Sequence, residues 1–122
     1  MRDAREILDD AILAELSALG HELDRDVLGE VVSAYRKVVP DLLRDLEEAA
    51  ARRAFEPLVR AAHALKGSSA QIGAVGVRDA ARAIEEAARG ERAEALGPLV
   101  AQCREAWTQA DAKLAELVEV AR

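Results

Sequence analysis

Residues 55–72 read Phe55-Glu56-Pro57-Leu58-Val59-Arg60-Ala61-Ala62-His63-Ala64-Leu65-Lys66-Gly67-Ser68-Ser69-Ala70-Gln71-Ile72. Leu58, Ala62, Leu65, Ser69 and Ile72 recur at steps of three and four, the spacing of one buried face on a helix. Pro57 suits the first turn, where a missing N–H is harmless. Glu56 complements the positive end of the helix dipole. Gly73 supplies a C-terminal stop. The spacing therefore predicts a helix over 55–72, and everything else in the chain is read against it.

Two residues of this helix serve no helical purpose. His63 lies roughly 160° round the axis from Leu65, away from the buried stripe. Gly67 follows four residues later on the same face, although glycine inside a helix costs about 1 kcal/mol relative to alanine. Alanine is used freely elsewhere, so the glycine needs a separate reason. A bare backbone position beside an exposed imidazole lets a bulky group approach it. Arg60, Lys66 and Ala70 share that face, and positive charge there favours an arriving phosphoryl group.

Working outward, the chain shows four more helical segments and no convincing strand. One runs from about Asp9 to Leu19, with Ile12, Leu13, Leu16 and Leu19 on a stripe, Asp9 as N-cap and Gly20 as stop. His21 then falls in a loop. The next runs from about Asp24 to Ala51 on Leu28, Val31, Val32, Tyr35, Val38, Val39, Leu42 and Leu46. Its stripe continues across Pro40, which implies one bent helix rather than two. After 55–72 comes a helix over 75–89, with Val77, Ala80, Ala81, Ile84 and Ala88 inward and Gly90 as stop. The last runs to about Ala121 on Leu96, Val100, Cys103, Trp107, Ala110, Leu114, Leu117 and Ala121. Gly97-Pro98 leaves open whether it starts at Pro98 or bends there. Short connections make neighbours antiparallel. The expected architecture is all-α: an up-and-down four-helix bundle with an additional N-terminal covering helix.

Size and composition agree. A chain of 122 residues is one domain by length, 1–122, and has 2% aromatics, which favours helix packing over a sheet. The net charge of −6 argues against wholesale binding to nucleic acid. A single cysteine, Cys103, forms no internal disulfide and suits a reducing compartment. No apolar run reaches the roughly 18 residues of a membrane span. The opening Met1-Arg2-Asp3-Ala4-Arg5-Glu6 carries charge and no apolar stretch, so no signal peptide is expected. The expected location is cytoplasmic.

Helices 55–72 and 75–89 should form a hairpin about Ala74. His63 stands eleven residues before that point and Glu85 eleven after, so the two come level. Glu85 then accepts a hydrogen bond from one ring nitrogen, fixing the tautomer and leaving the other lone pair outward. Arg89, one turn on, adds a cation.

The run His63-Ala64-Leu65-Lys66-Gly67-Ser68-Ser69 followed by Ile72-Gly73-Ala74 resembles the signature of histidine-containing phosphotransfer (HPt) domains, which act in multistep His-Asp phosphorelays. Ile7-Leu8-Asp9, Leu19-Gly20, the Tyr35 to Pro40 spacing and Ile84-Glu85 extend the resemblance over nearly the whole chain. It implies that His63 is the phosphorylated residue, at the nitrogen remote from the backbone. It also implies that Lys66 assists phosphate binding, Gly67 gives access, Glu85 orients the imidazole and Arg89 lies near the phosphate, with Arg60 a further auxiliary cation. Ala54 departs from the family, which often places an acidic or small polar residue before this helix.

The resemblance further implies a phosphocarrier without an ATP site, taking a phosphoryl group from a receiver-domain phosphoaspartate and passing it to another receiver. The partners are receiver domains of response regulators and hybrid histidine kinases. No cofactor or metal is expected in the chain itself, Mg²⁺ being supplied by the receiver, and the carrier is expected to be a monomer. Bland readings stand beside these. Arg60 and Lys66 also fit a solvated basic face, Glu85 a surface charge, Ser68 and Ser69 close helix packing, Gln71 plain surface, and Cys103 and Trp107 core. No phosphate loop, nucleophile elbow or Glu-x-x-His pair is present. The alternatives are a catalytically silent adaptor that binds receivers, a dimerising histidine-kinase-type bundle, and a purely structural bundle. Ala64 after His63, where such kinases carry an acidic residue, weighs against the second.

Overall fold

A computed structural model describes residues 7–121, with side chains through Val118. The expectations for Met1–Glu6 and for the Ala121 side chain fall outside the described residues. Among the described residues five helices follow one another: α1 (Asp10–Leu23), α2 (Val27–Ala51), α3 (Phe55–Ile72), α4 (Val75–Arg89) and α5 (Ala93–Ala121). Among the described residues there is no strand. The connections 52–54, 73–74 and 90–92 are too short for anything but a reversal between adjacent helices. α3 packs between α2 and α4, α5 packs on α4, and the α2–α5 contact closes the ring. α1 lies across α2 and touches α3. The four-helix bundle with a covering helix is the fold the apolar periodicity called for.

The core is the sum of the helical stripes. Val32, Val39 and Leu46 from α2, Leu58, Ala62 and Leu65 from α3, Val77, Ala81 and Ile84 from α4, and Leu96, Cys103 and Leu114 from α5 are all buried. The wealth of alanine on facing stripes lets the helices approach closely. Trp107 meets Tyr35 edge-on, ring centroids 5.5 Å apart. The Tyr35 hydroxyl shares a buried 2.7 Å hydrogen bond with Ser69 Oγ, so the polar member of the α3 stripe is satisfied rather than stranded.

Several boundaries differ from the sequence reading, each for a local reason. α1 does not stop at Gly20 but continues to Leu23, and His21 is an exposed residue of its last turn, not a loop residue. The stop is Asp24, in the left-handed conformation at φ 52°. Gly20 serves instead for close approach, because a Cβ there would stand 2.6 Å from the Arg25 carbonyl oxygen. α2 begins at Val27 rather than Asp24, since the Asp26 side chain caps it by accepting from Gly29 N–H at 2.9 Å. Leu19 and Val38, expected inside, are 42% and 45% exposed. Leu43 holds a core position and its neighbour Leu42 is half-buried. Near a stripe's edge, a turn of 100° does not say on which side of the boundary a residue falls.

The prolines stay within their helices. α2 passes through Pro40 as one helix, and Pro40 is exposed, so the missing N–H falls on the solvent side of the helix. α5 starts at Ala93 and contains Pro98, which settles the choice the sequence left open: the helix does not begin at Pro98. Ala54 caps α3 with no side-chain hydrogen bond. Pro57, lacking an N–H, removes one of the donors such a cap would have served.

Candidate functional site

The α3–α4 hairpin sets the site. Gly73 ends α3 at φ 79°, a conformation that costs glycine nothing and other residues about 1–2 kcal/mol. Ala74 N–H returns to the Ser69 carbonyl at 2.9 Å, and Ala74 is buried. The turn is anchored from outside as well, because Asp9 N–H donates to the Gly73 carbonyl at 2.7 Å. A two-residue reversal held by these two hydrogen bonds fixes the register of the two helices, and that register brings His63 level with Glu85.

The His63 side chain is 66% exposed, whereas that of Glu85 is 6% exposed. Nδ1 of His63 lies 2.9 Å from Glu85 Oε2. Lys66 Nζ donates to the other oxygen, Oε1, at 2.5 Å. Arg89, one turn along α4, donates from Nη2 to Oε2 at 3.0 Å. One buried carboxylate thus gathers three donors from two helices. Burial pushes its proton affinity up, but the hydrogen bonds from Lys66, Arg89 and His63 outweigh this and bring the Glu85 carboxyl down to about 2. It is ionised at neutral pH and only accepts. Nδ1 of His63 must therefore be the donor, and a neutral ring carries its lone pair on Nε2. Two cations against one carboxylate leave one net positive charge beside the ring.

Gly67 adds the opening. A Cβ built there meets nothing within 4 Å, so the backbone beside His63 borders free space. Lys66, Glu85 and Arg89 join His63 and Gly67 in one cluster. Arg60 does not: it pairs with Glu56 on its own helix, Nη1 to Oε1 at 3.1 Å. Of the two serines, Ser69 is structural and Ser68 lies half-buried at the surface. Cys103 and Trp107 are core.

Beside this cluster, on the α2 side, a shallow groove of about 230 Å³ is lined by Val31, Ala34, Val38, Ser68 and Gln71. The sequence reading missed it. Val38 scores as core by periodicity alone, and only the packing of α2 on α3 leaves it outside. The sequence reading also set Lys66 near a phosphate without seeing that it is held by Glu85. Lys66 and Glu85 are nineteen residues apart, and nothing short of the hairpin register pairs them.

Among the described residues no group of three or more His, Cys, Asp or Glu is placed to hold a metal ion. No described helix is long and apolar enough to cross a membrane.

The family model for the Hpt domain matches residues 30–113. Among solved structures, the crystal structure of histidine-containing phosphotransfer protein B (HptB) from Pseudomonas aeruginosa PAO1 is similar at a TM-score of 0.86 and 23% identity, covering 98% of this chain and 100% of that one. At that identity the likeness is one of fold. No curated protein matches the chain.

Proposed function

The chain belongs to the Hpt domain family, whose role is histidine phosphotransfer in phosphorelays, and from that premise we propose that His63 carries the phosphoryl group between two receiver domains. The observation that bears most weight is the His63 Nδ1–Glu85 Oε2 hydrogen bond at 2.9 Å on a side chain that is 66% exposed. It aims a nucleophile outward from a rigid helix without burying it.

A receiver domain bearing phosphoaspartate docks on the exposed side of α2 and α3. The groove beside Val38 takes apolar side chains of the partner, and the open backbone at Gly67 admits its acidic pocket. The Nε2 lone pair attacks phosphorus in line. The N–P bond forms, the bond from phosphorus to the aspartyl oxygen breaks, and the receiver carboxylate leaves with that electron pair. The receiver supplies the Mg²⁺ that screens the transferring oxygens. The ring is left cationic, with Nδ1–H against the Glu85 carboxylate, which stabilises that charge where it develops. A second receiver reverses the step. The carrier contributes alignment and access, and itself binds no ATP.

Because α2 and α5 of one chain close the ring, the carrier needs no second copy and acts as a monomer. The contact with each receiver is modest and transient, as serial exchange of partners requires. A cytoplasmic location is part of this proposal, since receiver domains are its proposed partners.

The test is transfer from a phosphorylated receiver domain in the presence of Mg²⁺. Label moves to an adduct on this chain that is stable in base and labile in acid, and His63→Gln abolishes it. Undiminished transfer to that variant would falsify the assignment.

A further inference from the structure

Trp107, the chain's one tryptophan, is only 8% exposed. Its ring is pinned edge-on against Tyr35, with 76° between the planes. Its N–H donates to no described residue, and no described side-chain nitrogen or oxygen is both buried and unpartnered, so this N–H reaches solvent. It does so in a groove of about 340 Å³ between α2 and α5, lined by Ser33, Arg36, Lys37, Pro40, Trp107 and Asp111. A buried indole N–H ordinarily finds a partner. The neighbouring donors are unspent as well. Arg36 gives only Nε to Asp111, at 2.6 Å, and its two Nη groups donate to no described residue. Ser33 and Lys37 are exposed beside it. The geometry points to a second interaction site in this groove, one that takes a carboxylate from an acidic peptide segment of a partner protein.

The donor set calls for an oxyanion. An indole N–H, a hydroxyl, an ammonium and the outer edge of a guanidinium face one space, and Asp111 already accepts from Arg36. Arg36 and Lys37 against Asp111 leave one net positive charge, which suits the single charge of a carboxylate. A dianion would carry its second charge against Asp111. The chain as a whole carries −6, so an acidic segment is held here by these fixed donors and not by the general field. The walls decide the kind of occupant. Small-ligand sites enclose roughly 70–90% of what they bind, whereas Arg36 and Asp111 are themselves 38% and 37% exposed. A free small acid would stay mostly in water. A peptide brings further surface to lay along Pro40 and the exposed edge of α2.

This groove lies on the α5 flank of α2, and the groove beside Val38 lies on the α3 flank. A partner held at Trp107 therefore leaves His63 and its surroundings open, and the chain stays tethered while that face is in use. The site stands whether or not His63 carries a phosphoryl group. Its test is a titration of the nitrogen-15-labelled chain, in which a single tryptophan gives a single indole N–H cross-peak. The probes are a blocked pentapeptide with glutamate at its centre between alanines, the same peptide with glutamine, and acetate. Wild type is compared with Lys37→Gln, a surface change, and with Trp107→Phe, which is read through the backbone amides of Ser33 and Lys37 after helicity is checked by circular dichroism. Loading of His63 is followed separately with phosphoramidate, a small donor that needs no receiver: the phosphoryl group passes to Nε2 and the donor's nitrogen leaves as ammonia.

The glutamate peptide is expected to move the indole cross-peak saturably, with a dissociation constant on the order of millimolar, and the glutamine peptide to leave it in place. Lys37→Gln should weaken the glutamate peptide roughly threefold, the scale of one exposed ion pair. Trp107→Phe should weaken it about fivefold, the scale of one hydrogen bond. Lys37→Gln should load from phosphoramidate as wild type does. An indole that stays still, an equal response to the glutamine peptide, or wild-type affinity in Lys37→Gln overturns the site. Acetate bound as tightly as the peptide overturns the peptide assignment and makes this a site for free small acids. A wild-type chain that phosphoramidate does not load at His63 defeats the carrier reading and leaves the α2–α5 groove untouched.

Discussion

At the residue scale, the site is an exposed ring held by a buried carboxylate. Nothing about the residue type alone makes a helical histidine reactive. What distinguishes His63 is that Nδ1 is engaged at 2.9 Å by a group the fold hides, while the ring stands in solvent. Gly67 is the complementary feature, and its surroundings allow a clean test. Since a Cβ there touches nothing within 4 Å, Gly67→Ala should fold and gain about 1 kcal/mol of helix propensity. Gly67→Leu should also fold but crowd the ring, cutting transfer from a receiver at least tenfold while phosphoramidate loading survives. Loss of both reactions would point to a disturbed helix and not to blocked access.

Glu85 gives a second residue-scale prediction, in stability. Its carboxyl is lowered from 4.5 to about 2 on folding. A lowered carboxyl stabilises the folded state fully above its unfolded value and loses that contribution as pH falls through the folded one. The Glu85 contribution is therefore complete above pH about 4.5 and fades between there and about 2. Urea unfolding of Glu85→Gln should show a flatter acid limb over that window than wild type. An acid limb identical to wild type would mean that the carboxylate is not held as the geometry describes.

At the scale of elements, the α3–α4 turn governs the register. Gly73 combines φ 79° with Ile12 Cβ at 3.1 Å and the Asp9 carbonyl oxygen at 3.2 Å from any added Cβ. Gly73→Ala faces left-handed strain and contact with the α1 cap at once. It should cost about 2 kcal/mol in denaturant unfolding. Because the turn also aligns His63 with Glu85, phosphoramidate loading should fall in parallel. The other left-handed helix ends carry side chains, at Asp24, Arg53 and Glu91. These tolerate the strain because their surroundings are exposed and only conformation is at stake.

At the scale of the whole molecule, four helices close on one another and wall off a single core. Cys103 lies fully inside it, and burial pushes its thiol up to about 12. A thiol so placed is protonated and inaccessible in the folded state. Alkylation near pH 8 should be negligible for the native protein and rapid in denaturant, so the labelling rate reports how often the bundle opens. Prompt native labelling would mean that α5 leaves the core far more readily than its packing suggests. The closed ring also suits the proposed function of a carrier that meets different partners on one face: docking changes little in a core that is complete without them.

Most of the fold was legible in the chain. The periodicity of about 55–72 and about 75–89, with Gly73 and Gly90 behind them, placed those two helices, observed as Phe55–Ile72 and Val75–Arg89, because apolar spacing and stop signals are local. The same logic misjudged Gly20, Leu19 and Val38. A glycine that ends a helix and one that admits a neighbouring backbone look alike in sequence, and a residue at a stripe's edge takes its exposure from whichever helix packs beside it. The exposed histidine, the bare position beside it and the level placement of Glu85 were readable from helix geometry and a short turn. Only the tertiary structure decided that Lys66 and Arg89 share Glu85, that Arg60 turns back to Glu56, and that a groove opens beside Val38. Arg60–Glu56 and Arg89–Glu85 keep the i,i+4 spacing of one helix. Whether a long charged side chain takes that neighbour or reaches across helices, as Lys66 does to Glu85, is chosen by what comes within a few ångströms once the helices pack.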